Sequence, residues 1–226
     1  MISQGIIRKI LGWVITVLIP PILLMMSVRL MISPMFARVE YRLPGFPNDP
    51  YGFTSDDRLR LSEPAINYLV NTEDITYLSS LRFEDGERVF NDREFSHMQD
   101  VKQVVTGMRI ALAVGMVGLL AATFFADRKG LKVDVLAAYQ RGAWALLGLI
   151  FAILLFVALS FNQLFTWFHK IFFESGTWMF LTSDTLIRLF PMRFWRDAFI
   201  FVGLLSMLLA GLILLFGRRH KAKKMV

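Results

Sequence analysis

The sequence predicts a membrane protein, mainly α, in which a four-transmembrane-helix bundle carries a small mixed α/β extracellular cap. Three observations lead to that fold class. Hydrophobic residues make up 55% of the 226-residue chain and the mean hydropathy is +0.52, above the roughly 45–50% apolar usage of soluble domains. Four apolar runs, 10–28, 110–126, 143–165 and 198–216, approach the roughly 20 residues that carry a helix across a bilayer core. Lysine and arginine gather beside alternate ends of these runs, as the positive-inside rule requires of a polytopic chain.

The elements follow in order. Residues 1–32 form a cytoplasmic N-terminus and the first span. Arg8 and Lys9 precede that span, but it is too long for a signal-peptide core and no small-residue cleavage site follows. Pro20-Pro21 remove two backbone donors, so a bend is expected there. Residues 33–106 form the extracellular cap, which runs into the second span. Within the cap, FARVEYRL alternates as a short strand does. LPGFPNDPYGFT is rich in Pro and Gly and reads as a turn region. SEPAINYLVN reads as a helix with Ser62 as N-cap and Pro64 in its first turn. LRFEDGERVF places Asp85-Gly86 between two β-compatible arms, a hairpin signal. From Asn91 or Asp92 onward no proline interrupts the chain, which predicts one long helix starting in water and ending in lipid. Residues 107–167 hold spans two and three with a cytoplasmic loop, 168–197 an extracellular aromatic segment, and 198–226 the fourth span and a basic cytoplasmic tail.

The formal charge of +7 does not indicate nucleic acid, because its distribution follows topology. Arg8 and Lys9, then Arg128, Lys129, Lys132 and Arg141, then Arg218, Arg219, Lys221, Lys223 and Lys224 all fall on one side of a four-span arrangement. The segment 33–106 carries 13 acids against 8 Lys/Arg and is net acidic. Both termini are therefore expected in the cytoplasm, with the cap on the outer face. The absence of cysteine excludes a thiol nucleophile, a disulfide-braced cap and a cysteine-ligated metal. The span interiors lack the midplane ionisable groups that transporters use.

Of three histidines, His220 lies in the basic tail. His97 precedes the second span and His169 follows the third. Because these spans run in opposite directions, topology alone puts both imidazoles at the outer surface, where a group of pKa near 6.5 exchanges protons near neutral pH. Anchoring of helix ends is the other reading for each. Glu94 and Asp100 stand three residues either side of His97, within helical reach of its ring. Ser96 faces elsewhere on a helix, and no G-x-S-x-G occurs. A zinc site from the two histidines plus Glu94 or Asp184 lacks the H-E-x-x-H spacing, so no metal is expected. Phe168, Phe172, Phe173 and Trp178 with Asp184 make the 168–197 segment either an interfacial aromatic belt or the wall of a chamber for a lipid-bearing substrate.

Ser-His-Met-Gln-Asp-Val-Lys at 96–102 resembles the H-M-x-D-V-[KR] segment of the bacterial lipoprotein intramolecular transacylases. Phe168-His169-x-x-Phe172-Phe173, followed by Trp178, Asp184 and Leu189-Phe190-Pro191, resembles that family's second motif. Span count, order and cap position agree along the chain. The resemblance implies four spans, an outer cap and a reaction on a diacylated lipoprotein within membrane lipid. The sn-2 acyl chain of the diacylglyceryl-cysteine would move to the α-amino group, with His97 and His169 as the catalytic pair and no cofactor. The competing functions are a non-catalytic membrane protein whose cap binds lipid or lipoprotein, and a phospholipid-dependent acyltransferase.

Overall fold

Among the described residues, four of the eight helices are long and apolar enough to cross a membrane. The computed structural model describes residues 4–128, 134–174 and 176–223. Lys129, Lys132 and Lys224 of the basic clusters lie outside the described residues, as do the side chains of Arg128, Arg218, Arg219, His220, Lys221 and Lys223. In chain order the helices are α1 (Gln4–Met31), α2 (Pro34–Glu40), α3 (Ser55–Val70), α4 (Thr76–Ser79), α5 (Asp92–Arg128), α6 (Val135–Phe172), α7 (Thr185–Leu189) and α8 (Met192–Lys223). The candidate spans are α1, α5, α6 and α8. The chain divides into two compact units, one of 1–28, 109–155 and 201–226, the other of 29–108 and 156–200.

In the first unit small residues set the packing, as expected where lipid removes the hydrophobic drive for helix association. Gly142 of α6 lies so close to α1 that a Cβ there would fall 2.6 Å from Ile19 Cβ and 2.7 Å from the Thr16 carbonyl oxygen. Thr16 donates its hydroxyl to Gly12 O within α1 and to Ala138 O of α6. Ser206 of α8 donates to the Ser27 hydroxyl of α1, and Ser27 donates to Leu23 O. Pro20 and Pro21 sit inside α1, which stays helical through them.

The regular elements of the second unit are helices joined by turns, which corrects the expected mixed α/β cap: among the described residues there is no β-strand. The FARVE part of FARVEYRL lies in α2 because Ser33 caps that helix, its hydroxyl accepting from Phe36 N, and Pro34 occupies the first turn. Ala37, Glu40 and Tyr41 are then buried at helical spacing. In LRFEDGERVF the turn itself is present, with Gly86 at φ 86° and Gly86 N donating to Phe83 O. Pairing stops at one bridge, Arg82 to Arg88. An isolated two-stranded hairpin is marginal in water, and Val89 and Phe90, 2% and 1% exposed, leave the arm to enter a helical core. The helix expected from Ser62 begins at Ser55 instead, where Thr54 and Asp57 form a capping box. Pro64 thus lies inside α3 rather than in its first turn, at the loss of one helical hydrogen bond.

Two apolar clusters hold this unit. Leu61, Ala65 and Tyr68 of α3 meet Leu78 of α4, Phe95 and Met98 of α5, and Leu186 and Leu189 of α7. Ala37, Tyr41, Ile66 and Phe194 join α2, α3 and α8. A buried ion pair, Arg188 to Asp49 at 2.9 Å, ties α7 to the turn region, and Arg58 donates to the carbonyls of Arg188 and Pro47.

Candidate active site

α5 starts at a capping box that the sequence states in Asn91-x-x-Glu94. The Asn91 side-chain oxygen accepts from Arg93 N and Glu94 N, and Glu94 Oε2 accepts from Asn91 N at 2.8 Å. One turn inside this fixed terminus stands His97. The α6 segment that carries the other imidazole follows Ser160, where φ −159° and ψ 68° interrupt helical geometry. Beyond it Phe165, His169 and Phe173 recur every four residues and share a face.

The two imidazoles meet. The His97 and His169 rings are stacked, with centroids 6.2 Å apart and planes 17° from parallel. Both residues are buried, 9% and 8% exposed. Phe173 packs edge-on to His97 at 5.0 Å and lies 5.5 Å from His169. Phe165 and Trp178 lie against His169 at 4.1 and 4.8 Å, and Phe168 at 5.6 Å. Phe180 closes on His97 at 5.3 Å. Phe172 touches Phe168 and Phe173 and is 47% exposed, one ring removed from the pair.

The hydrogen bonds distinguish the two rings. His169 Nδ1 lies 2.8 Å from the Phe165 carbonyl oxygen. A carbonyl has no proton to give, so Nδ1 carries the hydrogen, and in the neutral ring Nε2 is left with the free lone pair. His97 Nδ1 is buried with no hydrogen-bond partner. Neither Glu94 nor Asp100 therefore orients His97 through Nδ1. Glu94, 1% exposed, joins two helix ends instead: Oε1 accepts from Leu186 N of α7 at 2.7 Å while Oε2 holds Asn91 N. Asp184 belongs to the same junction, accepting from Asn91 Nδ2, Arg93 and Leu181 N. Asp100 is half-buried. Among the described residues no group of three His, Cys, Asp or Glu side chains is arranged to hold a metal ion.

Three features were not singled out by sequence reasoning. The Phe165 carbonyl is a backbone group, and its only signal is the four-residue spacing to His169. Phe180 is one aromatic among many in its segment. The third is a carboxyl pair: Glu40, 2% exposed, faces Asp197 within hydrogen-bonding reach, with Arg193 and Arg196 nearby. Burial first, then the hydrogen bond and charge of Asp197, push the Glu40 carboxyl up to about 7. The sequence separates these two acids by 157 positions, and no motif joins them.

A buried imidazole pair, one member locked as a hydrogen-bond acceptor and both walled by aromatics, is equipped to move a proton away from bulk water. Known proteins share this fold. The solved structure of the membrane integral lipoprotein intramolecular transacylase Lit from Bacillus cereus superposes with a TM-score of 0.81 at 18% identity, covering 98% of this chain and 100% of that one. Structures of the same bacterial protein with one histidine replaced by arginine or by alanine each give 0.76 at 19% identity, covering 98% and 99% of this chain and 96% and 98% of theirs. An uncharacterized protein of Aquifex aeolicus is 31% identical over 215 residues, 93% of this chain and 94% of its own length. The sequence profile of the family named lipoprotein intramolecular transacylase Lit matches residues 13–195, and this chain, a membrane protein with four apolar helices, belongs to that family.

Proposed function

We propose that the chain transfers the sn-2 acyl group of a diacylglyceryl-cysteine lipoprotein to the α-amino group of the same cysteine, giving the lyso form, with His97 and His169 as the acid–base pair. The observation that carries the reading is the stacked, buried pair in which His169 has a defined tautomer. An α-amine has a pKa near 7.7–8.0 and is mostly protonated at neutral pH. Proton loss to water first, then to His169 Nε2 as the nitrogen attacks, leaves the imidazolium held by its Nδ1–H bond to the Phe165 carbonyl. The proton taken up by His169 reaches the departing glyceryl oxygen through His97, which gains one proton as it gives one, so both rings end neutral as they began. General acid–base help of this kind contributes about 10²–10⁴-fold. Tethering ester and amine in one substrate adds effective molarities of about 10⁵–10⁸ M. Phe168, Phe172, Phe173, Phe180 and Trp178 form the apolar wall along which acyl chains lie. Glu94 and Asp184 act as structural supports of the α5–α7 junction, with Asp100 on the substrate side of α5.

In this reading both termini are cytoplasmic and residues 33–106 and 168–197 lie on the outer face, where a lipidated N-terminus is presented. The test uses purified protein and an unlabelled diacylated lipopeptide in bilayers of isotope-labelled phospholipid. A product of unchanged mass, with one chain on nitrogen by fragmentation, is expected. Gain of one labelled acyl group would identify a phospholipid donor, and no product at all would leave a lipid- or lipoprotein-binding role.

A further inference from the structure

We propose that the indole N–H of Trp178 is the hydrogen-bond donor to the substrate's acyl carbonyl oxygen, holding it as it becomes an oxyanion; this rests on the transacylase reading above. The Trp178 Nε1 atom is buried and has no hydrogen-bond partner, while its ring lies 4.8 Å from that of His169 at 39°. More than 90% of buried backbone groups and most buried side-chain polar atoms are satisfied in native proteins. An unmade bond of this kind costs about 1–3 kcal/mol. The other rings against His169, those of Phe165, Phe168 and Phe173, have no side-chain acceptor to offer. A wall built for apolar contact alone is served by another phenylalanine, of which the chain has 21. The indole adds one thing to such a wall, a donor with no acceptor capacity.

That donor stands beside the base. The backbone delivers it through a turn in which Thr177 N and its hydroxyl both donate to Glu174 O and Gly176 adopts φ 93°, a left-handed geometry that favours glycine. As the amine nitrogen bonds to the ester carbon, the carbonyl π pair moves onto oxygen and the amine proton passes to His169. The N–H bond to that oxygen becomes charge-assisted and about twice as strong as in the ground state, so its contribution appears in kcat. Collapse restores the carbonyl and breaks the bond to the glyceryl oxygen, which leaves with the proton that His169 took from the amine.

The experiment replaces Trp178 by phenylalanine and, separately, by 3-benzothienylalanine, which keeps the bicyclic shape and puts sulfur in place of N–H. Both are assayed with the diacylated lipopeptide beside wild type. Loss of one oxyanion donor predicts about 10²-fold lower kcat in both, with KM changed less than about threefold, and in the benzothienyl variant, which keeps the packing, a melting temperature equal to or above wild type because an unsatisfied group has been removed. Wild-type kcat in the benzothienyl variant would overturn the donor role and leave transacylation standing. An inactive wild type would overturn the transacylase reading and this inference with it. Loss of kcat with a lowered melting temperature in both variants would make Trp178 a packing residue and also defeat the proposal.

Discussion

Glu94 decides between two accounts of the α5 terminus, and its replacement has a calculable effect. Its carboxylate receives Leu186 N at 2.7 Å and Asn91 N at 2.8 Å from a position 1% exposed. Hydrogen bonds to charged groups contribute about 1.5–3 kcal/mol each. Glu94→Ala strands two buried donors and should destabilise the protein by roughly 3–5 kcal/mol, at the upper end for single substitutions. Glu94→Gln keeps one acceptor and turns an NH2 group toward the other N–H, for a loss of about 2–3 kcal/mol. With 1.4 kcal/mol per tenfold, amide hydrogen exchange in a peptide covering 185–190 should accelerate about 30- to 150-fold in Glu94→Gln. Thermal melting in detergent should fall in the same order, Ala below Gln below wild type. Turnover per folded molecule should stay within a few-fold of wild type, since the carboxylate does not engage His97 Nδ1. Unchanged exchange and melting with abolished turnover would refute this reasoning and assign Glu94 to the imidazole pair.

Other outcomes follow from the same geometry. His97→Asn and His169→Asn should each lower kcat by about 10²–10⁴-fold, and the double variant should be little worse than either single one, as for groups acting as a unit; additive losses would separate the two roles. Glu40 holds its proton more tightly folded, at about 7 against an ordinary 4.5, so its contribution is greatest below about pH 4.5, declines up to about 7 and is flat above. Glu40→Gln removes that decline and should gain up to roughly 3 kcal/mol on wild type between pH 5 and 8, read as melting temperature at the two pH values; parallel curves would contradict the shift. Gly142→Ala should destabilise by about 1–3 kcal/mol through overpacking against Ile19 and the Thr16 carbonyl, whereas Gly148→Ala, with no atom within 4 Å of the added Cβ, should be neutral in thermal melting. In intact cells, a membrane-impermeant thiol reagent should label Asp85→Cys and not Lys221→Cys; the reverse would invert the topology.

The spans were legible because a bilayer demands length and apolarity, which any window over 143–165 displays. The cap was less legible because its segments are short and take their conformation from the core they join. FARVEYRL alternates, yet Ser33-Pro34 before it is a helix start, and that local cap outweighs the alternating pattern. Asp85-Gly86 made its turn, but turn chemistry does not supply the sheet that would extend a hairpin. At the site, the antiparallel sense of the second and third spans predicted that His97 and His169 share a level, and their rings stack. The carboxylates were harder to place, because a residue three positions away on a helix can turn equally to the ring or to the helix end. Asn91-x-x-Glu94 is a capping signature, and read as one it assigns Glu94 to the terminus from sequence alone. The Glu40–Asp197 pair had no such signature.

The acceptor that fixes the His169 tautomer, Phe165 O, belongs to the main chain. Every amino acid brings that oxygen, so replacing Phe165 side chain by side chain deletes the ring and leaves the carbonyl in place. A genetic screen, however saturated, would thus never register this group. Homologous positions are free to diverge at 165 without surrendering the tautomer, provided the helical turn between 165 and 169 survives. Only chemistry that edits the main chain, such as an ester introduced in place of the amide that follows Phe165 to weaken its carbonyl as an acceptor, reaches it.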